Sequence, residues 1–498
     1  MSKYKLFKNK WLYGVLGIIL AFCCYYFVPA DQYSQAPIMA AIVVLMAVFW
    51  IFEVVPIAIT SLFPIFLFPL FGILDTKTTA LFYGKEIIFL FLGGFMLAQG
   101  IQHSNLHKRI ALNIVNVIGS KPANLVLGFM VATAGLSMWI SNTASVMVMM
   151  PIGLSIIEEI KEVKDSKNFL SKFAVALMLG IAYSADIGGM ATLIGTPPNL
   201  VFMELYHELF PNLPTIGFTQ WMMMGLPISI TFLFTGWLLM TKVIFRMPKR
   251  QVFSSENIIS NLLRDLGKIR RDEIFSGLIF LMAAILWVTG SDIKLSESFV
   301  IQGWRSSFGL EMVSDASIAI ATSLFLFMIP SKDRPKEMLL TWSKAKELPW
   351  GILLLFGGGF AIAGGFNSSG LSTIIGNIIA NIGIESPILI VIIVCVVLTF
   401  LTEITSNTAT TNLILPILAK ASAVLGLDPR ILMIPATLSA SCAFMMPIAS
   451  PTQAIVFGSG HVKIKQMIKA GILFNALGII VVTGVFYLLA KFVFGIEI

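Results

Sequence analysis

Two tripeptides in this chain carry chemistry that their surroundings do not otherwise offer. Ser141-Asn142-Thr143 and Ser406-Asn407-Thr408 each interrupt a long apolar run. Carboxamide and hydroxyl groups, with the carbonyls freed where a helix breaks, can ring a dehydrated cation. Helix N-termini present free N–H groups and a positive dipole end to an anion. The two copies are in register. A shift of 265 residues carries Ser141 onto Ser406 and, without gaps, Gly94-Phe95 onto Gly359-Phe360, Ala98 onto Ala363, Gly100 onto Gly365, Ser104 onto Ser369, Leu106 onto Leu371 and Pro151 onto Pro416. One such tripeptide could simply join membrane helices by hydrogen bonds. Two in-register copies, each followed by a proline-centred break, point instead to two halves of one binding site.

The breaks are Gly195-Thr196-Pro197-Pro198-Asn199, preceded by Gly188-Gly189, and Ala449-Ser450-Pro451-Thr452-Gln453. Proline does not continue a helix from before it. Pro197 maps onto Pro451 with a shift of 254, so the second copy is eleven residues shorter between its motifs. Between Ala174 and Phe202 the sole charged residue is Asp186, and between Ile431 and Phe457 there is none. Beside the tripeptides stands Glu403. A pocket built from these segments has no arginine clamp. It holds an anion with helix ends, Asn and hydroxyl donors, and co-bound cations. Asp186 and Glu403, as intramembrane acids, are candidates for a coupling or substrate role, set against local pairing.

The elements that position these residues are membrane helices. Of 498 residues, 57% are hydrophobic and 12% charged. Runs such as Trp11–Val28, Ala36–Leu74, Leu125–Ile157 and Ala470–Ala490 reach the roughly 18–20 apolar residues that cross a bilayer. The net charge of +8 collects in short loops, as the positive-inside rule expects, and forms no basic stripe interleaved with aromatics, so nucleic acid is a poor partner. Cys23, Cys24, Cys395 and Cys442 lie in apolar segments without metal-ligand spacing, and His103, His107, His207 and His461 make no zinc pattern. No nucleophile–base or metal constellation supports an enzyme. The sequence predicts a first span at 11–28 with a cytoplasmic N-terminus. Two spans follow within 36–74, bent at Glu53 and Pro56, where Glu53 lies near an interface or faces another helix.

Glycine runs at Gly93-Gly94 and Gly357-Gly358-Gly359 predict re-entrant hairpins at 87–103 and 347–368. The tripeptides then fall in broken helices, Leu125–Ile157 and 387–424. A polar connector is expected at 203–215, a cytoplasmic linker at 246–273, and a final span at 467–494. The loop at 161–172 carries four lysines (Lys161, Lys164, Lys167 and Lys172), whereas Gly426–Arg430 carries one arginine. That contrast suggests that the repeats are inverted.

At these residues the chain resembles the divalent anion/sodium symporter family, which includes sodium-coupled di- and tricarboxylate transporters. The matching stretches are Phe52-Glu53-Val54-Val55-Pro56, Met138-Trp139-Ile140-Ser141-Asn142-Thr143-Ala144, Gly195-Thr196-Pro197-Pro198-Asn199, Pro349-Trp350-Gly351-Ile352 and Glu403-Ile404-Thr405-Ser406-Asn407-Thr408-Ala409-Thr410-Thr411. The resemblance runs from about residue 36 to the C-terminus. It implies a homodimer in membrane lipid, each chain with a scaffold and an elevator-like transport domain. It further implies substrate contacts at Asn142, Thr143, Thr196, Asn407, Thr408, Ser450 and Pro451. One Na+ site would draw on Ser137, Ser141, Asn142 and Gly195, and a second on Thr402, Ser406, Asn407 and Ala449. No cofactor is implied beyond Na+ as coupling ion. The chain departs from the family at Ser450-Pro451-Thr452-Gln453, where Thr-Pro, one residue and Asn are usual.

The expectation is therefore an all-α polytopic membrane protein with about 11 transmembrane helices, two inverted repeats, re-entrant hairpins and broken helices. Its divisions are N-terminal scaffold spans at 1–83, a first transport repeat at 84–202, and a connector with linker and scaffold spans at 203–346. A second transport repeat follows at 347–457 and a C-terminal span at 458–498. The implied function is secondary transport of C4–C5 dicarboxylates (succinate, malate, fumarate, 2-oxoglutarate) by Na+ symport. Sodium-independent dicarboxylate exchange, or carriage of another divalent anion such as sulfate or citrate, is the alternative.

Overall fold

The computed structural model describes residues 2–30, 33–119, 121–161, 167–248, 256–296, 299–380 and 386–496. Lys164, within the loop expected to carry four lysines, lies outside them, as do 249–255 of the linker. The described chain is mostly helical, with one short antiparallel pair of strands, Ile293–Ser296 and Phe299–Ile301. Among the described residues, six helices are long and apolar enough to cross a membrane, and shorter apolar helices accompany them.

The helices that frame the site are α1 (Ser2–Phe27), α2 (Ala36–Ile51), α3 (Glu86–His103), α4 (Pro122–Ser137), α5 (Asn142–Lys161), α6 (Lys167–Gly189) and α7 (Pro197–Leu209). They continue with α8 (Phe218–Leu238), α9 (Asp315–Met328), α10 (Trp350–Ser368), α11 (Pro387–Leu401), α12 (Asn407–Val424), α13 (Pro429–Ser439), α14 (Pro451–Gly458) and α15 (Ile464–Phe494). The internal repeat reaches the helix boundaries. Pro122 and Pro387, Asn142 and Asn407, and Pro197 and Pro451 each open corresponding helices. Proline opens four of these six because a first-turn N–H has no partner within the helix and its loss there costs little.

Contacts along α6 settle how the first copy is folded. Gly188 packs on Ala134 of α4, and Gly180 packs on Met130 and Val126, so α4 and α6 run parallel. Asn142 meets Asp186, while Gly153 meets Met178 and Ile181, so α5 runs antiparallel to α6. Hence α4 and α5 are the arms of a helical hairpin with Ser141 at its tip. The second copy behaves alike. Asn475 and Thr483 of α15 bond Glu403 and Cys395, so α11 is antiparallel to α15. Gly478 lies against Cys442, and Arg430 reaches the Phe494 carbonyl, so α13 is also antiparallel to α15. The short link 425–428 then reverses α12 against α13. Ser406 thus also lies at a hairpin tip.

The two copies point opposite ways. Ser229 and Trp221 of α8 donate to the carbonyls of Ile187 and Met190, which makes α8 antiparallel to α6. Gly236 of α8 packs on Phe474 and Gly478 of α15 packs on Phe232, which makes α8 antiparallel to α15. Since α13 is also antiparallel to α15, α6 and α13 run in opposite directions.

Two sequence expectations need correction. Residues 87–103 and 347–368 are not hairpins: α3 runs unbroken through Gly93-Gly94, and α10 runs unbroken through Gly357-Gly358-Gly359. Their glycines serve close helix approach instead. A Cβ on Gly93 would lie 2.6 Å from Ala319 of α9, and one on Gly358 would lie 2.8 Å from the Cα of Ser61. The hairpins are the segments read as straight-through broken helices around the tripeptides. The interruption between α6 and α7 stands where the sequence placed it. The polar connector, however, begins as helix, since α7 continues to Leu209. Of the cysteines, Cys395 and Cys442 are buried, but Cys23 is exposed on α1.

Candidate functional site

Each hairpin tip holds its asparagine in the same way. Ser137 Oγ donates to Asn142 Oδ1 at 2.6 Å, and Thr402 Oγ1 donates to Asn407 Oδ1 at 2.6 Å. Ser137 and Thr402 are fully buried. Thr402 also donates to the Ala440 carbonyl at 3.0 Å, while in the first copy Thr192 donates to the Met138 carbonyl. Hydroxyls next to the broken ends thus take up carbonyls that the helices leave unpaired. At the first tip Ser141 Oγ accepts from the Ala144 N–H at 3.3 Å, capping α5. At α14 the N-cap is Ser450, whose Oγ accepts from the Gln453 N–H.

Between the two tips lies a cavity of about 880 Å³. Its wall includes Ser141, Asn142, Thr143, Gly195 and Thr196 from the first copy, and Ser406, Asn407, Thr408, Ala449, Ser450 and Pro451 from the second. All the residues implied as substrate contacts therefore line one space, with Ser137 and Thr402 directly behind it. The N-termini of α5, α7, α12 and α14 border the same cavity. Each such end carries a partial positive charge of roughly half an elementary charge. The C-terminal ends of α4, α6, α11 and α13 lead into the loops and tips that surround it. Donor ends suited to an anion and acceptor ends suited to a cation are thus interleaved. Apolar walls come from Phe91, Phe95, Ile194, Ile352 and Leu355.

The crowding at the first tip explains its glycines. A Cβ on Gly189 would lie 2.6 Å from Asn142 Oδ1, and one on Gly195 would lie 2.9 Å from the Cα of Gly189. Asn199, fully buried, donates through Nδ2 to the Gly189 carbonyl at 3.1 Å and to the Thr192 carbonyl at 2.7 Å, which closes the loop between α6 and α7.

The two intramembrane acids have different surroundings. Asp186 lines the cavity; its Oδ1 accepts from Asn142 Nδ2 at 3.0 Å and its Oδ2 from Thr452 Oγ1 at 2.9 Å. Glu403 does not line the cavity. Its carboxylate accepts from the backbone N–H groups of Phe444, Met445 and Met446 at 2.7–3.1 Å, and from Asn475 Nδ2 at 2.7 Å. Helix α13 ends at Ser439, four residues before the position equivalent to the end of α6, and Glu403 gathers the N–H groups left bare beyond it. Its place in the first copy is taken by Met138.

Sequence reasoning missed Lys10. This α1 residue lines the mouth of the cavity and donates through Nζ to the Glu53 carbonyl at 2.7 Å. Glu53 itself has φ +43°, which places a bend after α2 as expected. Its backbone faces α1, while its side chain is exposed. Nothing in the lysines before the first span singles out Lys10, whose role follows from the packing of α1 on α2.

The whole chain is similar to known transporters. The family model described as the sodium:sulfate symporter transmembrane region matches residues 8–495. Two proteins named sodium-dependent dicarboxylate transporter SdcS, from Staphylococcus aureus strains MRSA252 and bovine RF122 / ET3-1, are each 42% identical over 503 residues, covering 100% of this chain and 94% of theirs. In fold alone, the chain is similar to Neisseria gonorrhoeae MtrF, with a TM-score of 0.55 at 13% identity over 97% of this chain and 94% of that one. The Alcanivorax borkumensis YdaH transporter gives the same TM-score and identity, over 82% of this chain and 86% of its own. With two oppositely directed helical copies meeting at one polar cavity, and with this match over nearly its full length, the chain belongs to the sodium:sulfate symporter family of multi-pass membrane transporters.

Proposed function

We propose that the protein is a secondary active transporter that carries C4–C5 dicarboxylates across the cell membrane together with Na+. The observation that carries this reading is the cavity shared by both tripeptides, bordered by four helix N-termini and, among the described residues, lined by no arginine. Such a wall binds a small dianion through N–H, carboxamide and hydroxyl donors and needs cations nearby to offset the charge. Asn142 and Asn407 hold the two ends of the substrate, with Thr143, Thr408, Thr196, Ser450 and Pro451 around it. Ser137, Ser141, Asn142 and Gly195 supply oxygens for one Na+, and Thr402, Ser406, Asn407 and Ala449 for the other. The relatives named as sodium-dependent dicarboxylate transporters support both the substrate class and the ion.

The opposed directions of α6 and α13 support an inverted repeat, in which the transport domain moves as an elevator past a scaffold made of the remaining spans. The N-terminus lies in the cytoplasm and the working unit is a homodimer. The test is uptake of labelled succinate or 2-oxoglutarate by proteoliposomes, with a Na+ gradient in one arm and internal unlabelled dicarboxylate without Na+ in the other. Uptake in the first arm is expected. Uptake in the second arm alone would replace symport by exchange, and uptake in neither would overturn the reading.

A further inference from the structure

Asp186 is a carboxylate inside a cavity that serves a dianion, which calls for a counter-charge. It is 2% exposed. Four partners reach it: Asn142 Nδ2 at 3.0 Å on Oδ1, and Thr452 Oγ1 at 2.9 Å, Ser450 Oγ at 3.3 Å and Gln453 Nε2 at 3.3 Å on Oδ2. All four are neutral. Lys10, the basic residue lining the same cavity, is held at its mouth by the Glu53 carbonyl. Buried charges are ordinarily paired or bound to a metal ion.

A second observation points to the counter-ion. Gln453 is fully buried, and its Oε1 has no hydrogen-bond partner. Its amide stands against the Asp186 carboxylate, and a half-turn of the amide exchanges nitrogen for oxygen at that edge. The hydroxyl protons of Ser450 and Thr452, whose oxygens stand 2.5 Å apart, can turn to suit a new partner and leave a lone pair of each oxygen for it. A hard cation takes oxygen ligands, and with the Gln453 amide turned, one carboxylate, two hydroxyl and one carboxamide oxygen face a common point.

We propose that Asp186, Ser450, Thr452 and Gln453 form a further sodium site that joins the first repeat to the second. It rests on the reading of the protein as a sodium-coupled dicarboxylate transporter. The site has no twin. The position equivalent to Asp186 is Ala440, and Asn199, the equivalent of Gln453, turns its amide to the carbonyls of Gly189 and Thr192. The extra methylene of Gln453 is what reaches Asp186. A cation here neutralises Asp186 when the cavity also holds a dianion, and it adds one positive charge to each transport cycle beyond those of the paired sites.

The test uses the full-length protein in proteoliposomes, counting radiosodium and labelled succinate that enter together. Asp186→Asn is expected to admit one sodium fewer per succinate and to lose the stimulation that an interior-negative potential gives the unsubstituted protein. Gln453→Met is expected to keep the ratio and raise the half-saturating sodium concentration about tenfold. An unchanged ratio and unchanged potential response in Asp186→Asn overturn the site. So does a variant that loses co-transported protons rather than sodium. If Asp186→Asn does not fold, sodium-dependent rise of Tm, titrated in detergent against choline, decides the matter with Gln453→Met: equal midpoints overturn the site and a shifted midpoint supports it. If the unsubstituted protein takes up no dicarboxylate, the transport reading falls, while the detergent titration still decides the sodium site.

Discussion

Asn142 and Asn407 have their carboxamide oxygens fixed by hydroxyls five residues earlier, Ser137 and Thr402, at the same 2.6 Å. A free carboxamide turns over readily; a pinned one presents a defined edge to the cavity. Ser137→Ala and Thr402→Val are expected to raise the half-saturating Na+ concentration by about 2–10-fold, the equivalent of one hydrogen bond. Thr402→Val has the larger effect, because Thr402 also holds the Ala440 carbonyl. Asn142→Ala and Asn407→Ala are expected to abolish transport. Sodium-dependent uptake rates measure all four, and an unchanged sodium dependence in both hydroxyl variants would refute the pinning.

Gly195 sets the approach of two loops. A methyl group there meets the backbone of Gly189, which is not free to move aside because Asn199 holds its carbonyl. Gly195→Ala is expected to destabilise the protein by about 1–3 kcal/mol and to cut transport more than that loss of folded protein explains. Thermal unfolding in detergent and uptake per folded molecule separate the two effects.

Glu403 lies outside the cavity lining, and its carboxylate is taken up by backbone N–H groups and Asn475. Glu403→Ala leaves the buried Phe444 N–H, the part-buried N–H groups of Met445 and Met446, and Asn475 without their acceptor, at a cost of about 3 kcal/mol or more. The expected result is a lowered Tm with an unchanged sodium-to-succinate ratio in whatever protein still folds. A changed ratio would place Glu403 among the coupling residues instead.

Lys10 stands at the cavity mouth. Lys10→Gln is expected to raise KM for succinate several-fold at low ionic strength and less at high salt, with kcat unchanged, because a partly exposed charge attracts a dianion over roughly a Debye length of 10 Å at 0.1 M salt. Initial rates at two salt concentrations give the answer. A KM equal to that of the unsubstituted protein at low salt would remove Lys10 from the path.

Much of the site was legible in the chain. The two tripeptides, the proline breaks and the shift of 265 residues locate every wall residue inferred from the motifs, because a polar island in lipid-length sequence has few other uses. What could not be read is how the tips are built. Glycines mark turns and close helix contacts equally, and the neighbour that decides the matter is remote: Gly93 faces Ala319 and Gly358 faces Ser61. The turns themselves are at Met138–Ser141 and Thr402–Ser406, where no glycine stands. The roles of the acids were equally hidden. Asp186 finds its partners 264 to 267 residues away, except for Asn142, and Glu403 finds its own 41 to 72 residues on. The departure at Gln453 was visible in the sequence, but its reach to Asp186 appears only in the folded chain.

The bond from Asn475 to Glu403 also bears on biogenesis. Chains fold largely from the N-terminus as they leave the ribosome, and α15 is made after both hairpins. Until it inserts, the second hairpin lacks the amide that completes its carboxylate, and the groove that receives Phe474 lies open. The first half of the pocket can thus assemble while the second waits. A chain stopped before residue 464 would lack that amide, so closure of the second tip depends on a helix made after it.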